Sequence, residues 1–231
     1  MKIIVIISAI SEWVAVKEVL TPSSISITPY GECFDETFDT GGVTFFHAGW
    51  GKAASAGAMQ YVIDHYKPDA TINLGTCGGF EGEVGLDEII LVERTFVYDI
   101  VELMGDFGSV LDYYASTLDL SWLPEPYPFS VRRGTLASAD SDLLPEKIPQ
   151  LKAQGAIAAD WESAALAWVA RKNGARLLIL RAVSDLVNEQ GGEAYNNIAL
   201  YKERTKVIMR RLIEQLPEWR NAIEMTELPP I

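Results

Sequence analysis

Basic residues are scarce in this 231-residue chain: 19 Lys and Arg stand against 32 Asp and Glu, a formal net charge of −13. That balance excludes a phosphate-backbone partner, because nucleic-acid binding needs a basic surface. Cysteine and histidine are scarcer still, with two of each. Cys33 and Cys77 form neither a zinc spacing nor a CxxC pair, so they are expected to be reduced, partly buried thiols in a reducing compartment. His47 and His65 lie a helix's length apart and cannot assemble a metal cluster or a Ser-His-Asp triad. Each is read as structural, and neither a metal nor a cofactor is expected. No apolar run approaches the ~20 residues that cross a bilayer. Lys2 and Ile3–Ile7 look briefly like a secretory signal, but Ser8, Ser11 and Glu12 interrupt it, and a first strand is the better reading. Repeats and low-complexity linkers are also missing. What remains is the expectation of a cytoplasmic protein that binds neither membrane nor nucleic acid.

Hydrophobic residues at 48% and charged residues at 22% are ordinary globular values, enough for a sizeable core. The length suits one α/β domain spanning 1–231. Strands are predicted at Lys2–Ala9, Val43–Ala48, Ala70–Leu74, Glu88–Tyr98, Arg133–Ala139, Ala156–Ala159 and Ala175–Val183. Helices are predicted from Trp13, over Lys52–Tyr66, Leu144–Gln154 and Ser163–Lys172, and across about 193–216. Ile25–Thr40 reads as a hairpin or meander near a sheet edge. Residues 99–130 read as an irregular insertion with one short helix, and Pro217–Ile231 as a polar tail. Alternation of strands and helices to the end predicts a layered α/β/α domain.

Four stretches carry chemistry. Ala175–Val183 is an unbroken apolar run except for its arginines and leads into Ser184-Asp185. A carboxylate outside the end of a buried strand is placed either to cap the next helix or to deliver a proton to a leaving group. Gly75-Thr76-Cys77-Gly78-Gly79 follows another buried strand and is expected to be a turn at the same sheet edge, where backbone N–H groups approach a ligand closely. Asp160-Trp161-Glu162 stands where a strand becomes a helix. Glu162 there either caps the helix or accepts hydrogen bonds from a pair of sugar hydroxyls. Gly49-Trp50-Gly51-Lys52-Ala53-Ala54 satisfies a dinucleotide fingerprint, but Asp69 lies at the wrong end of the next strand to meet a ribose. A tight packing turn is the better reading.

Asn73-Leu-Gly75-Thr-Cys-Gly78-Gly79, Asp160-Trp-Glu162-Ser-Ala-Ala and Arg181-Ala-Val-Ser184-Asp185 occur in an order and at separations that resemble the nucleoside phosphorylase/nucleosidase superfamily. They are most similar to its 5′-methylthioadenosine/S-adenosylhomocysteine nucleosidase branch, and the resemblance extends over roughly 1–216. It implies a three-layer α/β/α sandwich around a central mixed β-sheet and cleavage of the N-glycosidic bond of a purine nucleoside. Asp185, with Ser184 beside it, would protonate purine N7, and Glu162 would grip the ribose. Trp161 takes the place of a methionine against the sugar. Gly75, Thr76 and Gly79 match the turn beside the base and the nucleophile. Phosphorylases of the hexameric type carry an arginine where this chain has Asn73, and another in the first loop, whereas Ile10–Glu18 contains none. A dianion without a bidentate arginine is poorly held, so water is the expected nucleophile.

Two positions depart from the pattern. The glutamate that would activate water aligns with Trp13, leaving Glu12 one residue early as candidate base. Asp142, in Ser138-Ala139-Asp140-Ser141-Asp142, replaces an aromatic that stacks on the purine; Tyr98, Phe96 and the 99–130 region are expected to supply that surface. The alternatives are a phosphorylase and a nucleoside-binding module without turnover. The resemblance further implies a homodimer or larger homo-oligomer.

Overall fold

The structure is a computed structural model that describes residues 1–225. β1 (Ile3–Ile7) is buried at every position. Ile3, Val5 and Ile7 enter one apolar cluster, and Ile4 and Ile6 another. Side chains alternate across a strand, so a run with no polar face means that both faces are covered. α1 (Ile10–Leu20) follows, and β2 (Ser26–Ile27), β3 (Glu32–Phe38) and β4 (Gly41–His47) form the predicted meander at one sheet edge. α2 (Gly51–Tyr66), β5 (Ala70–Phe80) and β6 (Ile89–Val97) come next, then α3 (Phe107–Tyr114) and β7 (Ser116–Thr117). The chain continues through β8 (Arg132–Ser138), a 3₁₀ turn (Pro145–Lys147), α4 (Ile148–Ala153), β9 (Ala156–Asp160), α5 (Ser163–Asn173), β10 (Leu177–Asn188), β11 (Gly191–Gly192) and α6 (Ile198–Glu224).

Among the described residues the strands make one mixed sheet. α1 and α6 cover one face, where Val16, Met209 and Leu212 join the cluster of Ile3. α2 and α5 cover the other, where Met59, Val62 and Leu166 join the cluster of Ile4. This is the expected α/β/α arrangement, with one addition. β10 pairs with both β5 and β6, and β6–β8–β9–β5 completes a closed ring of strands.

Three predicted boundaries move. β5 does not stop at Leu74; Gly75–Gly79 is strand rather than turn. A Cβ at Gly75 would overlap the Arg181 guanidinium, and one at Gly79 would lie 2.6 Å from both Val183 and Val84. These glycines admit neighbouring side chains, not a ligand. β10 likewise runs past Asp185 to Asn188, with a bulge between Val183 and Asp185. α6 begins at Ile198 and passes through Pro217 to Glu224, where a tail was expected. A proline in a helix interior costs about 3 kcal/mol, but Leu216, Trp219 and Ile223 are at most 1% exposed. Burying such side chains returns about 1.5–3 kcal/mol each. Arg220 adds an ion pair to Glu224 at 2.6 Å. The rest of the expected tail, 226–231, lies outside the described residues.

Candidate active site

A cavity of about 610 Å³ collects residues that lie far apart in the chain. The start of α1 supplies Glu12 and β5 supplies Thr76. The loop after β8 supplies Asp142, the β9–α5 junction Asp160, Trp161 and Glu162, and the bulge of β10 Ser184 and Asp185. The segment before α6 supplies Tyr195 and Asn197. Five carboxylates line this cavity, and no Lys, Arg or His is among the described residues that do.

α1 resolves the ambiguity between Glu12 and Trp13. Successive helical residues diverge by about 100°, so Glu12 and Trp13 point in different directions. Glu12 is 1% exposed and lines the cavity. Its Oε1 accepts from the Thr76 backbone N–H at 2.6 Å and from the Thr76 hydroxyl at 2.9 Å, and its Oε2 accepts from the Ala9 N–H at 3.2 Å. Trp13 points into the core, stacked on His47 with ring centres 5.3 Å apart, and its indole N–H donates to Glu32 at 2.6 Å.

Behind the cavity wall, Arg181 is fully buried in the middle of β10. Its guanidinium lies 3.0 Å from Asp160, 3.6 Å from Glu162 and 3.8 Å from Glu12. One cation therefore serves three carboxylates. Burial disfavours the arginine's charge, but these neighbours outweigh it and raise its pKa. Asp160 is held further by the Ser138 hydroxyl at 2.6 Å and by the Ser163 N–H and hydroxyl. Glu162 accepts the Gly51 N–H at 3.2 Å. Burial pushes Glu162 up to about 8; Arg181 opposes the rise, and Asp160 and Glu12 reinforce it. Glu12 is raised by burial too, against Arg181 and the Thr76 donors.

Asp185 stands apart from this cluster. Its carboxyl accepts the Ser184 hydroxyl at 3.0 Å. Burial raises its pKa, with Ser184 and Arg204 opposing the shift and Glu193 and Asp142 adding to it. The bulge leaves Ser184 unpaired between Val183 opposite Cys77 and Asp185 opposite Gly78. Such an extra residue re-aims the side chains around it.

Not every residue expected at the site reaches it. Asn73 lies away from the cavity and donates to the Ile6 carbonyl at 2.9 Å, tying β5 to β1. Gly75 and Gly79 lie behind the wall. Tyr98 lines the cavity as expected, but Phe96 is buried in a separate cluster with Phe80 and Ala137. Among the described residues, none of 99–130 lines the cavity. Trp161 and Trp50, 38% and 60% exposed, also border it. The turn carrying Trp50 was read as packing only. Gly49 and Gly51 have φ near +82° and +79°, and their turn aims the Gly51 N–H at Glu162, so the anion bound there is a side chain of the protein itself.

Residues 31–214 match the sequence profile of the phosphorylase superfamily. The chain belongs to that superfamily. Relatives include the 5′-methylthioadenosine/S-adenosylhomocysteine nucleosidase of Maridesulfovibrio salexigens, 28% identical over 190 residues that cover 76% of this chain and 81% of the relative. The enzyme of the same name from a Marinomonas species is 22% identical over 229 residues, covering 93% and 99%. Among solved structures, the 5′-methylthioadenosine nucleosidase of Arabidopsis thaliana superposes with a TM-score of 0.79 at 20% identity, covering 98% of this chain and 97% of that one. The futalosine hydrolase of Helicobacter pylori gives 0.75 at 14% identity, covering 94% and 97%.

In this superfamily member the Arg181 hub has no counterpart among the expected site residues; its signal in the sequence is a charge inside a Leu/Ile run, which burial obliges to find acidic partners. The hub has a stability signature. A carboxyl whose pKa rises from 4.5 to about 8 on folding contributes stability below pH 4.5 that is lost as pH rises towards 8. In Glu162→Gln the amide oxygen still accepts the Gly51 N–H, but nothing ionises. The melting temperature of this variant relative to the parent is therefore expected to rise steadily from pH 5 to pH 8.5. A difference independent of pH in thermal scans would contradict the raised pKa.

Proposed function

We propose that this chain hydrolyses the N-glycosidic bond of a purine nucleoside, with 5′-methylthioadenosine and S-adenosylhomocysteine as the first substrates to test. The composition of the cavity wall carries the reading. Five carboxyl groups, with no Lys, Arg or His among the described residues of the lining, leave a phosphate dianion without a bidentate partner and suit a sugar that becomes cationic as its bond to the base breaks. The single buried guanidinium nearby is already shared by Glu12, Asp160 and Glu162. Water is the nucleophile consistent with that electrostatics.

The roles divide by environment. Asp185, raised by burial, holds a proton and passes it to the purine, so that the base departs neutral. Glu162 accepts hydrogen bonds from the ribose hydroxyls, with Trp161 against the sugar. Glu12, fixed by Thr76 and Ala9, takes the proton of the attacking water. The logic is that of a glycosidase with a carboxyl acid on one side and a carboxylate base on the other. The same proposal includes a homo-oligomer and a cytoplasmic location.

The test is incubation of the purified protein with methylthioadenosine, S-adenosylhomocysteine, adenosine and inosine, with and without phosphate, while free base is measured. Release without phosphate is the expected result. Strict phosphate dependence would make the chain a phosphorylase, and calorimetric binding without release a nucleoside-binding module. For the base, Glu12→Gln keeps an acceptor for Thr76 but cannot take a proton. A loss of about 10²–10⁴-fold in kcat with the fold retained is expected; an unchanged rate would remove Glu12 from the mechanism.

A further inference from the structure

The bulge that aims Asp185 leaves a backbone debt. Ser184 has no backbone register partner on β5, although its hydroxyl donates to the Cys77 carbonyl at 3.3 Å, and a buried carbonyl without a partner is costly. Arg204, on α6 and just beyond the cavity-lining Tyr201, meets it: its Nη1 donates to the Ser184 carbonyl at 3.0 Å. The same nitrogen lies 2.7 Å from Glu193. Glu193 adjoins Gly192, where a Cβ would lie only 2.6 Å from Asp185 Oδ2. It also opens the segment that contributes Ala194 to Asn197 to the cavity wall. Arg204 thus joins the two backbone segments that flank the Asp185 carboxyl.

We propose that Arg204 is a positioning residue for the proton donor, clamping the bulged Ser184 to the Glu193 segment so that the Asp185 carboxyl is held against the cavity. This rests on the reading of Asp185 as that donor. The charged and titratable groups around Asp185 are Arg204 from α6, Glu193 and Tyr195 from the preceding segment, Asp142 from the loop after β8 and the Cys77 thiol from β5. Arg204 favours the ionised carboxylate, and Glu193 favours the protonated form. A donor that must carry its proton loses activity as pH rises through its pKa. Removing Arg204 therefore moves the alkaline limb of the pH–rate profile upward, and neutralising Glu193 moves it downward. A purely structural clamp would not split the two in opposite directions.

The experiment measures base release from methylthioadenosine, together with thermal melting, in the parent, Arg204→Met, Arg204→Lys, Glu193→Gln and Asp185→Asn. Arg204→Met is expected to lower kcat by roughly tenfold to a hundredfold, the scale of a small misplacement of a reacting group, with little change in KM and an alkaline limb at higher pH. Lysine should restore part of both, and Glu193→Gln should shift the limb to lower pH. If Arg204→Met fails to fold, the Lys and Gln variants decide by the direction of their shifts. Unshifted limbs with Asp185→Asn inactive would overturn the positioning role alone. Near-parental activity of Asp185→Asn would overturn the donor assignment on which it rests.

Discussion

Asp185→Asn is expected to reduce kcat for base release by about 10²–10⁴-fold, the usual contribution of a positioned general acid, while the melting temperature stays close to that of the parent. Asparagine has the same shape and still accepts the Ser184 hydroxyl, which lies 3.0 Å from the carboxyl in the parent. What it cannot do is hand a proton to the departing purine. Burial is the leading cause of the raised pKa at this carboxyl, so the amide also avoids the cost of burying a charge, and no folding defect should confuse the assay. Substrate affinity should change far less than turnover, because the proton moves only as the bond breaks. Single-turnover kinetics with methylthioadenosine check the point. A parental rate would return Asp185 to a role in packing alone.

Arg181→Met is expected to have the largest effect on stability. Methionine fills much of the same space, but Glu12, Asp160 and Glu162 would then face one another without the cation that lies 3.0 to 3.8 Å from them. Removing one member of a buried ionic network costs about 3–5 kcal/mol, which in a chain of this size corresponds to a fall in melting temperature on the order of 10 °C. The sign of the pH dependence follows from the carboxyls. Arg181 opposes the raised pKa values of Glu12 and Glu162; without it both rise further, so the folded state binds extra protons and its stability declines as pH rises. The deficit should be smallest near pH 5 and largest above pH 8. Parental melting at both ends of that range would mean that the three acids do not depend on the cation.

The chain's legibility follows the range of the interactions involved. Strands β1 and β4 and helices α2 and α5 were evident from local apolar patterns, because covered faces impose a period on the residues that form them. Gly75–Gly79 is strand where its composition points to a turn. Consecutive glycines are the local signature of a turn, and only the Arg181 side chain across the sheet explains why a strand needs them. Pro217 departs from expectation for a related reason: its local helix penalty is visible in the sequence, whereas the burial of Trp219 and Ile223 that offsets it is not. Phe96 and the 99–130 segment were assigned to the cavity because aromatics were missing there. Tyr195, Tyr201 and Trp50 line it instead, brought there by the segment before α6, the first turn of α6 and the turn before α2.

By itself the sequence determined the layered α/β architecture, the excess of acidic over basic residues, and the order of the acidic motifs ending at Glu162 and Ser184-Asp185. Those features depend on residue type and short-range spacing. The tertiary structure decided which acids face one another. It turned Glu12 rather than Trp13 into the cavity through the phase of α1, kept Asn73, Gly75 and Gly79 behind the wall, and gave three carboxylates one shared arginine. It also placed Arg204 behind the bulge that carries Asp185. Each of these depends on a contact between residues that lie far apart in the chain or on the rotation of one element against another, and neither quantity is written in local sequence.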